Sequence, residues 1–496
     1  MNTSGMKQKV IHESYQIPMQ QKNMKSSFSE WEMMMLNASD GEVEDNFGCS
    51  VSVCGNYAVI GAAFDDNGTG SAYIFERTGS TWLQVAKLQA EDGEPEDCFG
   101  WSVSLDETMC VIGAPGDDDL GNQSGAVYVF SGISTAWTQE QKLVASDGVA
   151  GDFFGYSLSI YQEYLVIGSW YDDNSTGSVY VFGWDWDKSV WKQQTKLVAS
   201  DGMPDLHFGN SVSIHGKHLV VGLYMEWDLN STSTAYVFER NGTTWTEETI
   251  IRLSETEPTG IAISVSIYGD YLMIGAPYDG VFPFGGAAYI YRHEGSSWTQ
   301  QIRFNCSGDP LANFGSSVAI GEQYAATMRT SHFDEENDSV YIYKRDGTTW
   351  SLDTRLTGFP LHVWLFGTTI SVSGSCVLVG NSGFGEKNRP SYVFWKPAPQ
   401  FQILFKGSTF SIKNVGDANA TNVSVNRNLD GGLIFLGKDK TVILPSLAIG
   451  ESKVAHLGMI FGFGWTILSI SVSCDQGVTE WCKIQALVLF VFLLIR

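Results

Sequence analysis

The dipeptide Phe-Gly recurs at Phe47-Gly48, Phe99-Gly100, Phe154-Gly155, Phe208-Gly209, Phe314-Gly315 and Phe366-Gly367, and a degenerate Thr259-Gly260 fills the one gap. The seven starts, at 47, 99, 154, 208, 259, 314 and 366, are separated by 51 to 55 residues. Nothing else in the chain limits its fold as strongly. A unit of this length cannot bury an apolar face alone and must stack on copies of itself.

Each unit reads as four short strands. After Phe-Gly comes period-two alternation, such as Val51, Val53 or Val103, Leu105, with serines between, the pattern of a strand with one apolar face. A Gly-containing turn follows (Gly55-Asn56, Gly216-Lys217, Gly269-Asp270), then a wholly apolar run such as Ala58-Val59-Ile60 or Leu165-Val166-Ile167. That run ends in Gly-Ala-Ala at Gly61 or Gly-Ala-Pro at Gly113 and Gly275. Beyond an acidic loop, the third strand carries paired aromatics (Tyr73, Phe75; Tyr128, Phe130; Tyr180, Phe182). The fourth is marked by Trp82, Trp137, Trp191, Trp245, Trp298 and Trp350. Four strands per unit at this period imply an all-β chain built around a seven-bladed β-propeller.

The two ends of the repeat complement each other. The last unit stops after its third strand, at Phe394-Trp395, with Lys396-Pro397 where a fourth would begin. The N-terminus has the opposite surplus: Trp31, Leu36 and Ala38-Ser39-Asp40-Gly41 repeat the spacing of Trp137, Leu143 and Ala145-Ser146-Asp147-Gly148. The expectation is that the N-terminal strand completes the last blade and removes an open sheet edge.

The wording of the units, Phe-Gly then Gly-Ala-Pro, resembles the FG-GAP repeat, the blade unit of integrin α-subunit heads and of many secreted microbial and protist proteins. The resemblance spans residues 31–396 and implies a non-enzymatic binding protein in cell-surface adhesion or ligand recognition. Integrin-type repeats carry a DxDxDG calcium loop in the first hairpin. Here that hairpin is cut to two residues, so the family's metal site is not carried over.

The expected domains are a disordered segment over residues 1–29, the propeller over 30–397, and an immunoglobulin-like β-sandwich over 400–496. The last rests on strand-like stretches at Phe410-Ser411-Ile412, Val423-Ser424-Val425 and 467–472, separated by turn residues. Its wording resembles bacterial and archaeal cell-surface modules. Residues 484–495 are apolar apart from Gln485. They are too few for a membrane-spanning helix of ~20 residues and read as a last strand, with an unusual anchor as the alternative. The eight cysteines include no CxxC and read as free thiols, with Cys474 and Cys482 the one local pair. No three-part secretory signal is visible, and eleven Asn-x-Ser/Thr sequons are present. The resemblance points to an extracellular or cell-surface location; a complete N-terminus would make it cytoplasmic.

A net charge of −25 argues against nucleic acid, which needs clustered Lys and Arg. The acidic residues gather after the second strand and before each Phe-Gly. Both connections emerge on one face of such a ring, while the opposite turns are mixed to basic (Glu76-Arg77, Glu239-Arg240, Lys344-Arg345-Asp346). This charged face is the expected binding surface for a protein or glycan partner on a monomeric ring, with Asp117, Asp118, Asp119, Asp172 and Asp173 as candidate contacts. Asp65 and Asn67, Asp117 and Asp119, and Asp172 and Asn174 alternate at a spacing suited to calcium, which makes Ca2+ the candidate cofactor. The same residue types also form turns unaided. A catalytic serine would be unique, whereas Gly-x-Ser recurs in unit after unit (Ser157, Ser211), so no enzyme is expected; a hydrolase or lyase with a central-channel site and an intracellular scaffold are the alternatives. His215-Gly-Lys-His218 spans a turn without an HExxH motif or a nearby carboxylate, and reads as solvated.

Overall fold

The computed structural model describes residues 30–495 apart from 225–233, 254–263, 278, 280–284, 307–312, 331–337, 358–368, 382–388, 398–400, 407–408, 417, 431–432, 437–438, 456–460, 475–478 and 491. The expected disordered segment 1–29, Thr259-Gly260 and Phe366-Gly367 lie outside the described residues.

In the first sheet the strands Phe47–Cys54, Tyr57–Ala62, Ser71–Thr78 and Thr81–Leu88 pair antiparallel in sequence order. Cys54 faces Tyr57, so Gly55 and Asn56 alone make the turn, with Gly55 at φ +57°. Such two-residue hairpin loops favour left-handed backbone, which glycine adopts freely. The second strand is apolar throughout because Ala58, Val59 and Ile60 are all fully shielded. Between the third and fourth strands the register shifts at Ile74/Phe75, and again at the equivalent Val129/Phe130, Val181/Phe182 and Val237/Phe238. A bulge at that place increases the twist of each sheet.

Five further sheets follow the same order, and a seventh is composite. In it Ile370–Ser373, Cys376–Val379 and Ser391–Trp395 are joined by Glu32–Leu36, with Glu32 opposite Trp395 and Leu36 opposite Ser391. The N-terminal strand therefore fills the vacant outer position.

The first strands of the seven sheets neighbour one another in a closed cycle. A hydrogen bond marks each step: the amides of Leu105, Ile160, Ile214, Val265, Val318 and Ile370 donate to Ser52, Ser104, Ser159, Ser211, Ser264 and Ser317 Oγ at 3.1–3.2 Å. Val53 N closes the circle on Ser371 Oγ at 3.1 Å. The alternating serines thus satisfy inner-edge amides that no further strand reaches.

Where both are described, the Gly of Phe-Gly meets the Gly that follows the second strand of the neighbouring sheet. A Cβ on Gly61 would stand 1.9 Å from the Gly100 carbonyl oxygen, and Gly100 itself has φ +96°. Gly113 meets Gly155 and Gly168 meets Gly209 in the same way. The adjoining Phe99, Phe154, Phe208 and Phe314 are fully buried. Repeated four-stranded sheets locked in this manner fit a β-propeller.

Past residue 400 the chain forms two more sheets. Phe401–Lys406, Thr409–Asn414 and Ser452–Ala455 make a three-stranded one. Asp439–Leu447, Ala420–Asp430, Phe461–Ser473, Thr479–Phe490 and Phe492–Ile495 form the other, with Leu433–Leu436 alongside Phe461–Ser473. Ile412 of the smaller sheet shares a core with Val423, Val425, Leu468 and Ile470 of the larger. The apolar C-terminal stretch is paired as strands, Ala486 opposite Ile495 and Leu489 opposite Phe492. Among the described residues no helix is long and apolar enough to cross a membrane.

Candidate ligand-binding face

Among the described residues, acidic side chains of neighbouring connections come together in clusters that close on a basic side chain. Lys142, in the outer strand Ala136–Leu143, places Nζ 2.8 Å from Asp92, 2.8 Å from Asp117 and 2.6 Å from Asp119. Lys87 meets Asp40 at 2.8 Å and Asp65 at 2.7 Å, with Asp66 at 3.8 Å. Lys196 meets Asp147, Asp172 and Asp173 at 2.7–3.0 Å. The third-strand tyrosines complete each cluster, their hydroxyls donating to Asp65 (Tyr73, 3.2 Å), Asp117 (Tyr128, 2.8 Å) and Asp172 (Tyr180, 2.8 Å). Arginine takes the lysine's role later, Arg252 with Asp201 and Arg303 with Asp279.

These contacts set the charge states. Burial pushes the Asp92 carboxyl up, but bonds from Lys142 and Tyr128 outweigh it and hold the group below the usual carboxylate range. Asp40 and Asp147 are held down in the same way by Lys87 with Tyr73 and by Lys196 with Tyr180. Burial works against the Lys142 charge, yet its carboxylate partners raise its pKa. Three carboxylates stand against one ammonium in each of the three lysine clusters, so this part of the face stays acidic. Asp66, Asp119 and Asp173 remain about 60% exposed (62%, 61% and 59%), and Asp118 is also exposed.

The carboxylates expected to hold calcium are paired with lysine. The buried carboxylates of Asp65, Asp117 and Asp172 already hold a lysine ammonium where a hard cation would stand, and Asp119 shares that ammonium in its loop. Asn67 and Asn174 are exposed and supply left-handed turns, at φ 63° and 62°. Calcium takes six to eight oxygen ligands, so an ion at these carboxylates would have to displace the lysine ammonium. Asp117 and Asp172 are buried framework residues, Asp119 and Asp173 are exposed but paired with lysine, and Asp118 is exposed.

Beside the acidic loops lies an arc of aromatic rings that the sequence reading missed. Phe64 stands 6.4 Å from Trp101, Trp101 5.6 Å from Tyr156, and Tyr156 stacks on Trp170 at 4.4 Å. Tyr224 continues the arc 6.3 Å from Trp170, with His207 between them at 5.1 Å and 6.1 Å. Trp101 and Tyr156 directly follow the Gly of Phe-Gly; Trp170 and Tyr224 lie two residues beyond the Gly that ends the second strand. That placement crosses from the first to the fourth sheet and was the available signal. The rings are half-buried, and the Trp170 indole Nε1 has no hydrogen-bond partner.

The serines weighed as nucleophiles belong to the boundaries between sheets. Ser157 Oγ donates to the Gly209 carbonyl at 2.7 Å, and Ser211 Oγ accepts from Val265 N at 3.1 Å. The turn histidines part company. His215 lies between Tyr161 and Tyr268, 4.3 Å from each, and Nδ1 accepts from Gly269 N. His218 is buried rather than solvated and faces Glu248 and His293, carboxylate and imidazole brought from other strands. Burial lowers the pKa of both His215 and His218.

Four segments, residues 31–75, 82–130, 137–182 and 191–238, match the model of the FG-GAP repeat. Each begins at an outer-strand tryptophan, so Trp31 aligns with Trp82, Trp137 and Trp191. These repeats, set in recurrent four-stranded sheets, support an FG-GAP β-propeller. Among solved structures, the crystal structure of Saccharomyces cerevisiae Sqt1 is similar at 12% identity and a TM-score of 0.41, over 77% of this chain and 97% of that one. A search of curated proteins returns no match.

Proposed function

We propose that the chain is a seven-bladed FG-GAP propeller acting as a non-enzymatic binding protein, with its ligand seated on the acidic, aromatic loop face. The observation that carries this reading is the arc from Phe64 through Trp101, Tyr156 and Trp170 to Tyr224, beside loops whose carboxylates outnumber their cations. Partly exposed aromatic rings offer apolar stacking area at low entropic cost, and surplus carboxylates orient a partner bearing cationic or hydroxyl groups. A basic protein segment or a glycan meets those requirements. FG-GAP repeats are compatible with adhesion, and in this reading the ligand lies outside the cell. The C-terminal pair of sheets, with its shared core around Ile412 and Val425, serves in this reading as an immunoglobulin-like spacer or anchor.

The test is a protein and glycan array probed with the intact protein, with Trp101→Ala and with Asp118→Asn/Asp119→Asn/Asp173→Asn, each with and without chelator. A ligand retained by the intact protein, weakened by both variants and indifferent to chelator is the expected result. Equal retention by all three proteins would refute the proposed face.

A further inference from the structure

Away from the acidic face, three metal-ligating side chains meet where the fourth and fifth sheets adjoin. His218 opens the strand His218–Gly222, Glu248 lies in the outer strand Thr244–Arg252, and His293 stands near the end of Ala287–Glu294 in the next sheet. One ligand atom from each lies within 4.8 Å of the other two. Glu248 Oε1 is 3.0 Å from His293 Nε2, and Oε2 is 3.8 Å from His218 Nε2. Trp298 Nε1 donates to Oε2 at 3.0 Å and fixes the carboxylate.

The second observation is a buried nitrogen with nothing to bond. His218 is 3% exposed, and its Nε2 has no hydrogen-bond partner although it faces the Glu248 carboxylate. Leaving such an atom unsatisfied is unfavourable, unless the position serves a ligand. Strands carry all three residues, so the site does not depend on loop conformation.

We propose that His218, Glu248 and His293 bind one divalent transition-metal ion of the zinc class, which ties the fourth sheet to the fifth. Two imidazoles and a carboxylate suit zinc, whereas calcium requires an oxygen cage. Bonds of 2.0–2.1 Å put the ligand atoms of a tetrahedral zinc about 3.3 Å apart. The 3.0 Å and 3.8 Å separations run to the two different oxygens of Glu248, so each histidine lies near that edge length from one oxygen of the carboxylate. The third separation, at most 4.8 Å, closes with up to about 1.5 Å of movement shared by the two side chains. His293 and Glu248 have side chains 11% and 14% exposed, which gives the ion an entry and leaves its fourth position to water. Trp298 is the outer partner that orients the carboxylate. The neighbouring Lys217 is paired with Glu239, so its charge is already countered.

The test uses the full chain, stripped by chelation and titrated with Zn2+ alone. The described free cysteines can bind zinc themselves, so the readout is the difference between the intact protein and His293→Gln, with circular dichroism confirming that the variant is folded. His218→Asn and Glu248→Gln are the companion variants. The intact protein should bind one equivalent more than any variant, show tetrahedral Co2+ absorption that the variants lack, and melt at a higher temperature with Zn2+ but not with Ca2+. Loss of a ligand should weaken that equivalent by at least about 100-fold, and Trp298→Phe by about 10–100-fold. Equal stoichiometry in the intact protein and His293→Gln, no thermal shift with Zn2+, or an equal shift with Ca2+ would each overturn the proposal.

Discussion

Trp31 stands edge-on to Tyr324, ring centroids 5.2 Å apart and planes at 81°, although the two residues belong to opposite ends of the repeat. The same contact joins Tyr57 to Trp137, Tyr164 to Trp245 and Tyr271 to Trp350, each time the second-strand tyrosine of one sheet and the outer-strand tryptophan of the next. Trp31 Nε1 also donates to Asp353 at 2.8 Å. The N-terminal strand is thus held by the same packing that holds an internal outer strand. Trp31→Ala should cost about 3–5 kcal/mol, the range for deleting a buried large aromatic. Trp31→Phe should cost less, because it keeps the edge-on ring. Chemical denaturation measures both; a loss below about 1 kcal/mol for Trp31→Ala would mean that the strand does not close the ring.

The inner serines make a sharper local prediction. Ser371→Ala removes the acceptor of Val53 N at the closing boundary, and an orphaned buried amide costs about 1–3 kcal/mol. Ser52→Ala should do the same to Leu105 N. Hydrogen exchange should accelerate at Val53 in the first variant and at Leu105 in the second, each leaving the other amide protected.

Asp97 gives the fold a pH dependence of defined sign. It is buried, accepts from Glu94 N at 2.8 Å, and has its carboxyl pushed up to about 6, chiefly by burial, with the charge of Asp117 adding to it. The unfolded value is about 3.9. Between those values the folded state binds the extra proton, so this group's contribution to stability falls as pH rises from about 4 to about 6 and is level above. Asp97→Asn should flatten that window relative to the intact protein, as read by denaturation midpoints across the pH range. A difference between the two proteins that does not vary with pH would contradict the assignment.

Much of this was legible in the residues. Phe-Gly spacing gave the sheets, and the surplus at Trp31 against the deficit at Lys396 gave the closure. Phe410, Val423 and Ile467 fell in the strands expected of them. The site was harder for physical reasons. Asp117 reads as a surface ligand until Lys142, 25 residues later, is folded onto it, because the partner comes from the next strand but one. Trp101, Tyr156 and Trp170 form an arc only when neighbouring sheets are set side by side. Glu248 and His293 lie too far from His218 in sequence for any spacing rule to join them.

The loop clusters should respond unequally to neutralisation. Lys142→Ala leaves Asp92, Asp117 and Asp119 facing one another around a lost ammonium, with Asp117 buried. Removing one partner from a buried ion cluster is costly, about 3–5 kcal/mol for a fully buried pair, and less here because Asp92 and Asp119 reach solvent. Asp118→Asn should leave the melting temperature unchanged, since its side chain is exposed. Thermal unfolding of the two variants in parallel checks the division between framework and surface carboxylates.

The binding claim is tested most directly by titrating the array-identified ligand against two variants matched in charge removed. Asp118→Asn/Asp119→Asn changes the acidic face; Lys188→Ala/Lys344→Ala changes exposed residues on the opposite turns. The first should weaken binding and reduce its salt dependence, because exposed charges act over a screening length of about 8 Å at physiological salt. The second should leave affinity unchanged. Unchanged affinity in the acidic-face variant, together with loss in the other, would move the binding site across the ring and contradict the account.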